Sequence, residues 1–261
     1  MTQNLQQYPD LLQYLNIYYN NRYTKRIEKI VFSILRKHAK KLKKKLSILD
    51  SGCGVGYFSK RVLEQLPKEV KKIVGIDIEE WVDKTLFKNN KFEFIKADAT
   101  STKKKFHSSI FDIIVSNDVM EHVENDSEYI KECSRLIKDN GIFILITPNI
   151  ERFTQLLLSI FSKKIMKFPK TTGVELVNGK EIHHVHLREY NKINLQKIIN
   201  KYFPFSLWIP FFVGIKIPGL NFVGSYHLKI NRLPFLEKHT NHFLVVCSKN
   251  LPIISKLKTI Y

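Results

Sequence analysis

The 261-residue sequence predicts an α/β fold, a largely parallel sheet with helices on both of its faces. Three observations carry that expectation. Short apolar runs alternate with helix-periodic stretches between residues 46 and 150. The first two strands end on carboxylates, Asp50 and Asp77. A glycine turn, Gly52-Cys53-Gly54-Val55-Gly56, joins the first strand to the helix after it.

Taken in order, residues 8–45 read as one or two helices, through Tyr8, Leu11, Leu12, Leu15 and Tyr18 and then Ile27, Ile30, Val31 and Leu35. Leu46, Ile48 and Leu49 begin the first strand, with the continuous apolar character of a buried parallel strand. Phe58, Val62, Leu63 and Leu66 mark a helix. Residues 73–77, 92–95 and 111–116 are the next three strands. Tyr129, Ile130, Cys133, Leu136 and Ile137 mark a helix expected to stop at Asn140-Gly141, a C-terminal glycine signal. Residues 142–147 are the fifth strand. After Pro148 the alternation stops, and residues 151–189 read as a helix-like segment and a polar loop. A helix over 191–202, a sixth strand over 205–209 and a last strand over 242–247 complete the pattern. The expected organisation is an N-terminal helical extension (1–45), a cofactor-binding core (46–150), a helical cap or insertion (151–190), and a helix with the closing strands of the same domain (191–261).

Composition bounds the function. The hydrophobic fraction of 44% suits a soluble domain with a real core. Cys53, Cys133 and Cys247 form no CxxC pair, which argues against a disulfide framework or a structural zinc site and favours a reducing compartment. The N-terminal run is polar and lacks a signal-peptide core, so the expected location is cytoplasmic. Prolines, glycines and Lys216 interrupt the apolar stretch 203–226 and argue against a membrane span. The net charge of +19 suits nucleic acid, an anionic membrane surface or an anionic substrate. Its densest block, residues 36–45, reads first as a solvated lysine-rich surface. Aromatic side chains do not interleave with it, so a base-stacking platform is not indicated.

Strand, carboxylate, glycine turn and helix make a nucleotide-cofactor loop. Glycine permits a sharp bend and a close ligand approach, and the helix start offers unpaired N–H groups. A dinucleotide fingerprint reads G-x-G-x-x-G, whereas here the spacing is G-x-G-x-G. Asp77 stands where a carboxylate would hold a ribose hydroxyl pair in either kind of fold. Asp98 after the third strand and the segment from Asn117 to Val123 after the fourth decide the matter.

With these motifs the chain resembles the class I S-adenosylmethionine-dependent methyltransferases, small-molecule type with Glu-His after the fourth strand. The carrying motifs are Leu49-Asp50-Ser51-Gly52-Cys53-Gly54-Val55-Gly56, Gly75-Ile76-Asp77-Ile78, Ala97-Asp98-Ala99, Asn117-Asp118-Val119-Met120-Glu121-His122-Val123 and Leu136-Ile137-Lys138-Asp139-Asn140-Gly141. The resemblance covers about residues 46–150 and implies a Rossmann-like three-layer sandwich, with a mostly parallel seven-stranded sheet whose last strand is antiparallel. It also implies S-adenosylmethionine as cofactor, with Asp50, Gly52, Cys53, Gly54, Gly56, Asp77, Ile78, Asp98, Ala99 and Asn117 at its site. In that scheme the glycine loop packs under the methionine part, Asp50 orients the amino group and Asp77 takes the ribose hydroxyls. Asp98 and Ala99 hold the adenine, and Asn117 faces the methyl group.

The acceptor side rests on Asp118, Glu121 and His122 and on the His183-His184-Val185-His186-Leu187-Arg188-Glu189-Tyr190 segment, which resembles the His-x-Arg-x-aromatic segment before the penultimate helix in many small-molecule methyltransferases of this class. Three readings stay open here. His122 or His186, with Glu121, serves as acid–base machinery for an O-methyl transfer. Asp118, Glu121, His122 and a distal histidine, His186 foremost, bind a divalent metal (Mg, Mn or Zn) that grips the acceptor hydroxyls. Or these residues are structural. The Asp-x-x-Glu-His pattern resembles both ubiquinone-pathway O-methyltransferases and small-RNA 3′-terminal 2′-O-methyltransferases.

The expected partner is a small-molecule acceptor with a glycan, lipid-linked or phenolic hydroxyl. The alternatives are an RNA 3′-terminal 2′-O-methyltransferase and a noncatalytic module that senses the cofactor. Residues 152–168 form a candidate amphipathic helix, read first as a lid over the acceptor pocket and secondarily as a peripheral membrane contact.

Overall fold

The computed structural model describes residues 22–152, 174–177, 180–183, 186–210 and 239–258. Helix α1 (Arg22–Leu42) leads into β1 (Leu46–Ser51), α2 (Tyr57–Gln65), β2 (Val70–Asp77), a 3₁₀ turn (Lys84–Lys88) and β3 (Phe92–Lys96). Next come β4 (Phe111–Asn117), a 3₁₀ turn (Met120–His122), α3 (Asp126–Leu136) and β5 (Ile137–Pro148). A small hairpin, β6 (Val174–Val177) and β7 (Lys180–His183), precedes α4 (Lys192–Asn200), β8 (Phe205–Ile209), β9 (His242–Ser248) and α5 (Leu251–Lys258).

The main sheet has seven strands in the order β3-β2-β1-β4-β5-β9-β8. The first five are parallel, while β9 runs antiparallel to both β5 and β8. The expected sheet, with its antiparallel last strand, is the one observed. Strand alternation divides the core between two faces. Ile113, Val115, Ile142, Ile144 and Ile146 point into the layer with α1, α2 and α5. Ile114, Phe143 and Leu145 point into the layer with α3 and α4. Both central strands are buried on both sides, which is why they read as continuous apolar runs.

Two local readings change. The helix expected to end at Asn140-Gly141 ends at Leu136, capped by Ile137, and β5 already begins at Ile137. Gly141 serves close strand packing instead. A Cβ there would lie 2.7 Å from Ile137 Cγ1 and 3.0 Å from the Asp112 carbonyl oxygen, beside the register shift between β4 and β5. Within 151–189, a two-stranded antiparallel ladder occupies part of the expected polar loop, pairing Val174 with His183 and Val177 with Lys180. The helical readings over 8–21 and 153–168, and most of the apolar stretch 203–226, lie outside the described residues. Among those described, no helix is long and apolar enough to cross a membrane.

Candidate active site

At the C-terminal ends of β1, β2 and β4 a cavity of about 780 Å³ opens. The crevice at the carboxyl edge of a parallel sheet is where such folds bind ligands. Asp50, Gly52, Cys53, Gly54, Asp77, Ile78, Asp98, Ala99 and Asn117 all line it. Of the expected cofactor residues only Gly56 stands outside the lining. Gly56 is the N-cap of α2 at φ 78°, and a Cβ there would come within 2.5 Å of Leu86 Cδ1. Gly52 is at φ 70° with Val119 against it, so a Cβ would sit 2.4 Å from Val119 Cγ2. Gly54 differs, because a Cβ would meet nothing within 4 Å. The space over Gly54 belongs to the cavity, which fits close approach of a ligand to that backbone.

Three carboxylates converge on this end. Asp50 is buried at 3% exposure and accepts a hydrogen bond from Ser59 Oγ at 2.6 Å. Burial pushes its carboxyl up to about 7, against the pull of the Ser59 bond. Asp77 accepts from the Gly54 N–H at 2.9 Å and the Glu79 N–H at 3.2 Å, and burial raises it above the usual carboxylate range. Asp98 closes a local turn by accepting from Thr100 N–H and Oγ1 at 2.8 and 2.7 Å. The sequence reading missed the contribution of α1. Thr24, Ile27, Glu28 and Val31 line the same cavity, and Arg61 holds Glu28 at 3.0 Å beside Tyr57.

At the other end Asp118, His122, Val123, Ile146 and Leu187 form the wall. The 3₁₀ turn after β4 carries Glu121 and His122, and the return segment 186–190 is tied to it. Leu187 N–H donates to the Glu121 carbonyl at 2.9 Å, and Tyr190 Oη donates to Asp126 at 3.0 Å. The His122 and His186 rings meet edge to face at 4.7 Å. Ligating atoms of Glu121, His122 and His186 all lie within 4.8 Å of one another. Glu121 is fully buried. Its Oε2 accepts from Thr147 Oγ1 at 2.9 Å, while its Oε1 has no hydrogen-bond partner among the described residues. Burial, and secondarily the nearby Asp118 charge, holds its carboxyl well above the ordinary range.

Asp118 stands apart from that trio. It sits at φ 54°, next to His242 Nε2 at 3.4 Å. His242 was not singled out in the sequence; it opens β9 directly opposite Pro148. Burial pulls its imidazole below the usual histidine range. Arg152 and Glu189 pair at 2.6 Å, with His186 Nδ1 3.6 Å from Glu189. The side chains of His183 and His184 lie outside the described residues, so His186 is the distal histidine that the structure brings to Glu121 and His122.

A glycine loop after β1, carboxylates after β1, β2 and β3, and a seven-stranded sheet with β9 reversed define a class I S-adenosylmethionine-dependent methyltransferase domain. Residues 42–195 match the family model described as a methyltransferase domain, and the chain belongs to that family. A ubiquinone biosynthesis O-methyltransferase of Pelagibacter ubique is 33% identical over 135 residues, covering 49% of this chain and 52% of the relative. The mitochondrial ubiquinone biosynthesis O-methyltransferase of Saccharomyces cerevisiae is 27% identical over 199 residues, covering 72% of this chain and 60% of the relative. The chain thus matches between half and two thirds of the length of these relatives. A solved S-adenosylmethionine-dependent methyltransferase from Archaeoglobus fulgidus shares the fold, with a TM-score of 0.52 at 17% identity over 91% of this chain and 99% of that one.

Proposed function

We propose that this chain transfers a methyl group from S-adenosylmethionine to a hydroxyl of a small acceptor. The observation that carries the reading is one cavity with two chemically different ends: a carboxylate and glycine cradle, and a wall that His122 enters with Glu121 and His186 clustered against it. When bound, the cofactor supplies an already activated methyl group. What remains for the protein is to hold the acceptor oxygen in line and to remove its proton.

Asp77 takes the ribose hydroxyls, its carboxylate already fixed by the Gly54 and Glu79 N–H groups. Asp98 and Ala99 hold the adenine edge, Asp50 faces the methionine ammonium, and Asn117 faces the transfer site. His122 takes the acceptor proton from within the cavity wall, with the His186 ring fixed against it. Glu121 lies behind that ring pair, its carboxyl raised by burial and by the Asp118 charge and bonded to Thr147, and it orients the pair. A phenolic hydroxyl is the preferred acceptor over a glycan or lipid-linked one, because both relatives above are named for ubiquinone biosynthesis. The RNA and noncatalytic alternatives gain no support from those relatives. Three buried free thiols suit a reducing, cytoplasmic setting.

A second reading is favoured by the orphaned Glu121 Oε1. A divalent ion held by Glu121, His122 and His186 would polarise the acceptor hydroxyl. Asp118, paired with His242, falls outside this ligand group.

The test is methyl transfer from labelled S-adenosylmethionine to catechol acceptors. Label in the methyl ether is the expected result, and label in N- or C-methyl products would overturn the O-methyl reading. Chelation separates the two readings. Activity that survives EDTA belongs to the His122 base, and activity lost to EDTA and restored by one divalent ion belongs to the metal.

A further inference from the structure

The lysine block at residues 36–45 is not used by the cleft, and the fold places it at the opposite edge of the sheet. There the C-terminal end of α1, the start of β5 and helix α5 close into one surface. Lys41 Nζ donates to the Pro252 carbonyl at 3.3 Å. Lys44 and Lys138 converge on Asp112 at 2.7 and 3.0 Å. Lys249 Nζ donates to the Ile137 carbonyl at 3.4 Å, and Asn250 Nδ2 donates to Asn140 at 2.8 Å.

Among the described residues of this surface lysines outnumber acids. Asp112 has a side chain only 3% exposed and is shared between two lysines. Asp139 is an exposed carboxylate of the rim, 4.0 Å from Lys249. The positive field is felt within the protein. Lys41 is lowered by burial and then by the neighbouring Lys256 charge. Beneath it His38, buried, is pulled down to about 4 by burial and by Lys41 and Lys44, against the opposing charge of Asp112. In the same surface Leu251 is 51% exposed, beside exposed Pro252.

We propose that this face docks on an anionic lipid bilayer. Lysines clustered beside an exposed apolar anchor suit a diffuse anionic surface. The surface is almost purely lysine, which acts as a point charge. The planar guanidinium fork that grips single phosphates and the aromatic platform that stacks bases are both missing from the 36–45 run, apart from Arg36. Helix α1 fixes the geometry. Its first turns line the cleft and its last turn carries the basic face, and its 21 residues span about 30 Å. A docked molecule therefore keeps its cleft open to water. This docking does not depend on the methyl-transfer reading.

The experiment is flotation of the full chain with vesicles of phosphatidylcholine alone or of equimolar phosphatidylcholine and phosphatidylglycerol. The expected result is binding to the anionic vesicles only, abolished at high salt. The triple variant Lys40→Glu, Lys43→Glu, Lys45→Glu should bind at least about 100-fold more weakly, since each lysine near such a surface contributes about fivefold. Its unfolding midpoint should be unchanged. If the charge reversals impair folding, the Lys→Gln set at the same positions gives the same readout in weaker form. Equal binding to neutral vesicles, or full binding by the variants, would overturn the proposal. So would lysine-dependent binding of duplex RNA with no vesicle binding.

Discussion

The two ends of the cleft are built differently. The proposed donor end draws on consecutive turns after β1, β2 and β3, where the Gly54 and Glu79 N–H groups fix Asp77 and the space over Gly54 is open. The proposed acceptor end is lined by residues 117–119, 122–124, Ile146 and Leu187, with Thr147, His186 and His242 packed against them from separated parts of the chain. A cofactor of fixed shape can be met by a fixed local motif. An acceptor that varies among proteins of one fold is met by side chains gathered through tertiary structure.

The comparison breaks hardest at Gly52, where the two ends touch. Gly52→Ala adds a Cβ against Val119 in a left-handed backbone position. Overpacking and the backbone conformation together should cost about 3 kcal/mol, read as a fall of roughly 6–12 °C in unfolding midpoint. An unchanged midpoint would mean that the loop and the β4 turn are not packed as described.

His122→Asn should separate the ends. It should lower methyl transfer by about 100-fold while leaving S-adenosylhomocysteine affinity within about twofold. Gly54→Ala is the converse. Its Cβ clashes with no protein atom but enters the cavity, so cofactor affinity should drop about tenfold with a stability loss of about 1 kcal/mol.

The smallest effect concerns Asp50. Its folded carboxyl titrates near 7, whereas the unfolded one titrates near ~4. The stability it contributes is therefore complete below about pH 4 and is lost as pH rises through 7. Asp50→Asn should raise the unfolding midpoint at pH 8 and leave it unchanged at pH 4. Pairing with the cofactor ammonium favours the ionised form, so binding at pH 6 should release a proton from the wild type and not from the variant. Calorimetry in buffers of different ionisation enthalpy measures that proton.

The same contrast explains what the sequence made legible. Asp50 and Asp77 each close an apolar run and Asp98 follows one after Lys96-Ala97, so chain order alone placed them at one sheet edge. Glu121 and His122 were visible as a pair, and His186 as part of a histidine run. His242 was not, because a histidine opening a β-strand carries no local signal; only the register opposite Pro148 brings it to Asp118. Arg152 was hidden for the same reason, since only the fold pairs it with Glu189. The α1 wall was legible as an amphipathic helix but not as cavity lining, since the residues that face the core and the cleft share one stripe. Gly141 misled because a glycine that ends a helix and one that lets two strands approach look alike in sequence.

The central claim is that one cleft holds donor and acceptor by separable sets of residues. Its most direct test is S-adenosylhomocysteine affinity measured beside the rate of methyl transfer to a catechol in two variants. Asp77→Ala should lose at least about tenfold in affinity, the scale of charged hydrogen bonds removed. His122→Asn should keep its affinity and lose turnover. Affinity lost equally in both variants, or turnover retained in His122→Asn, would contradict the account.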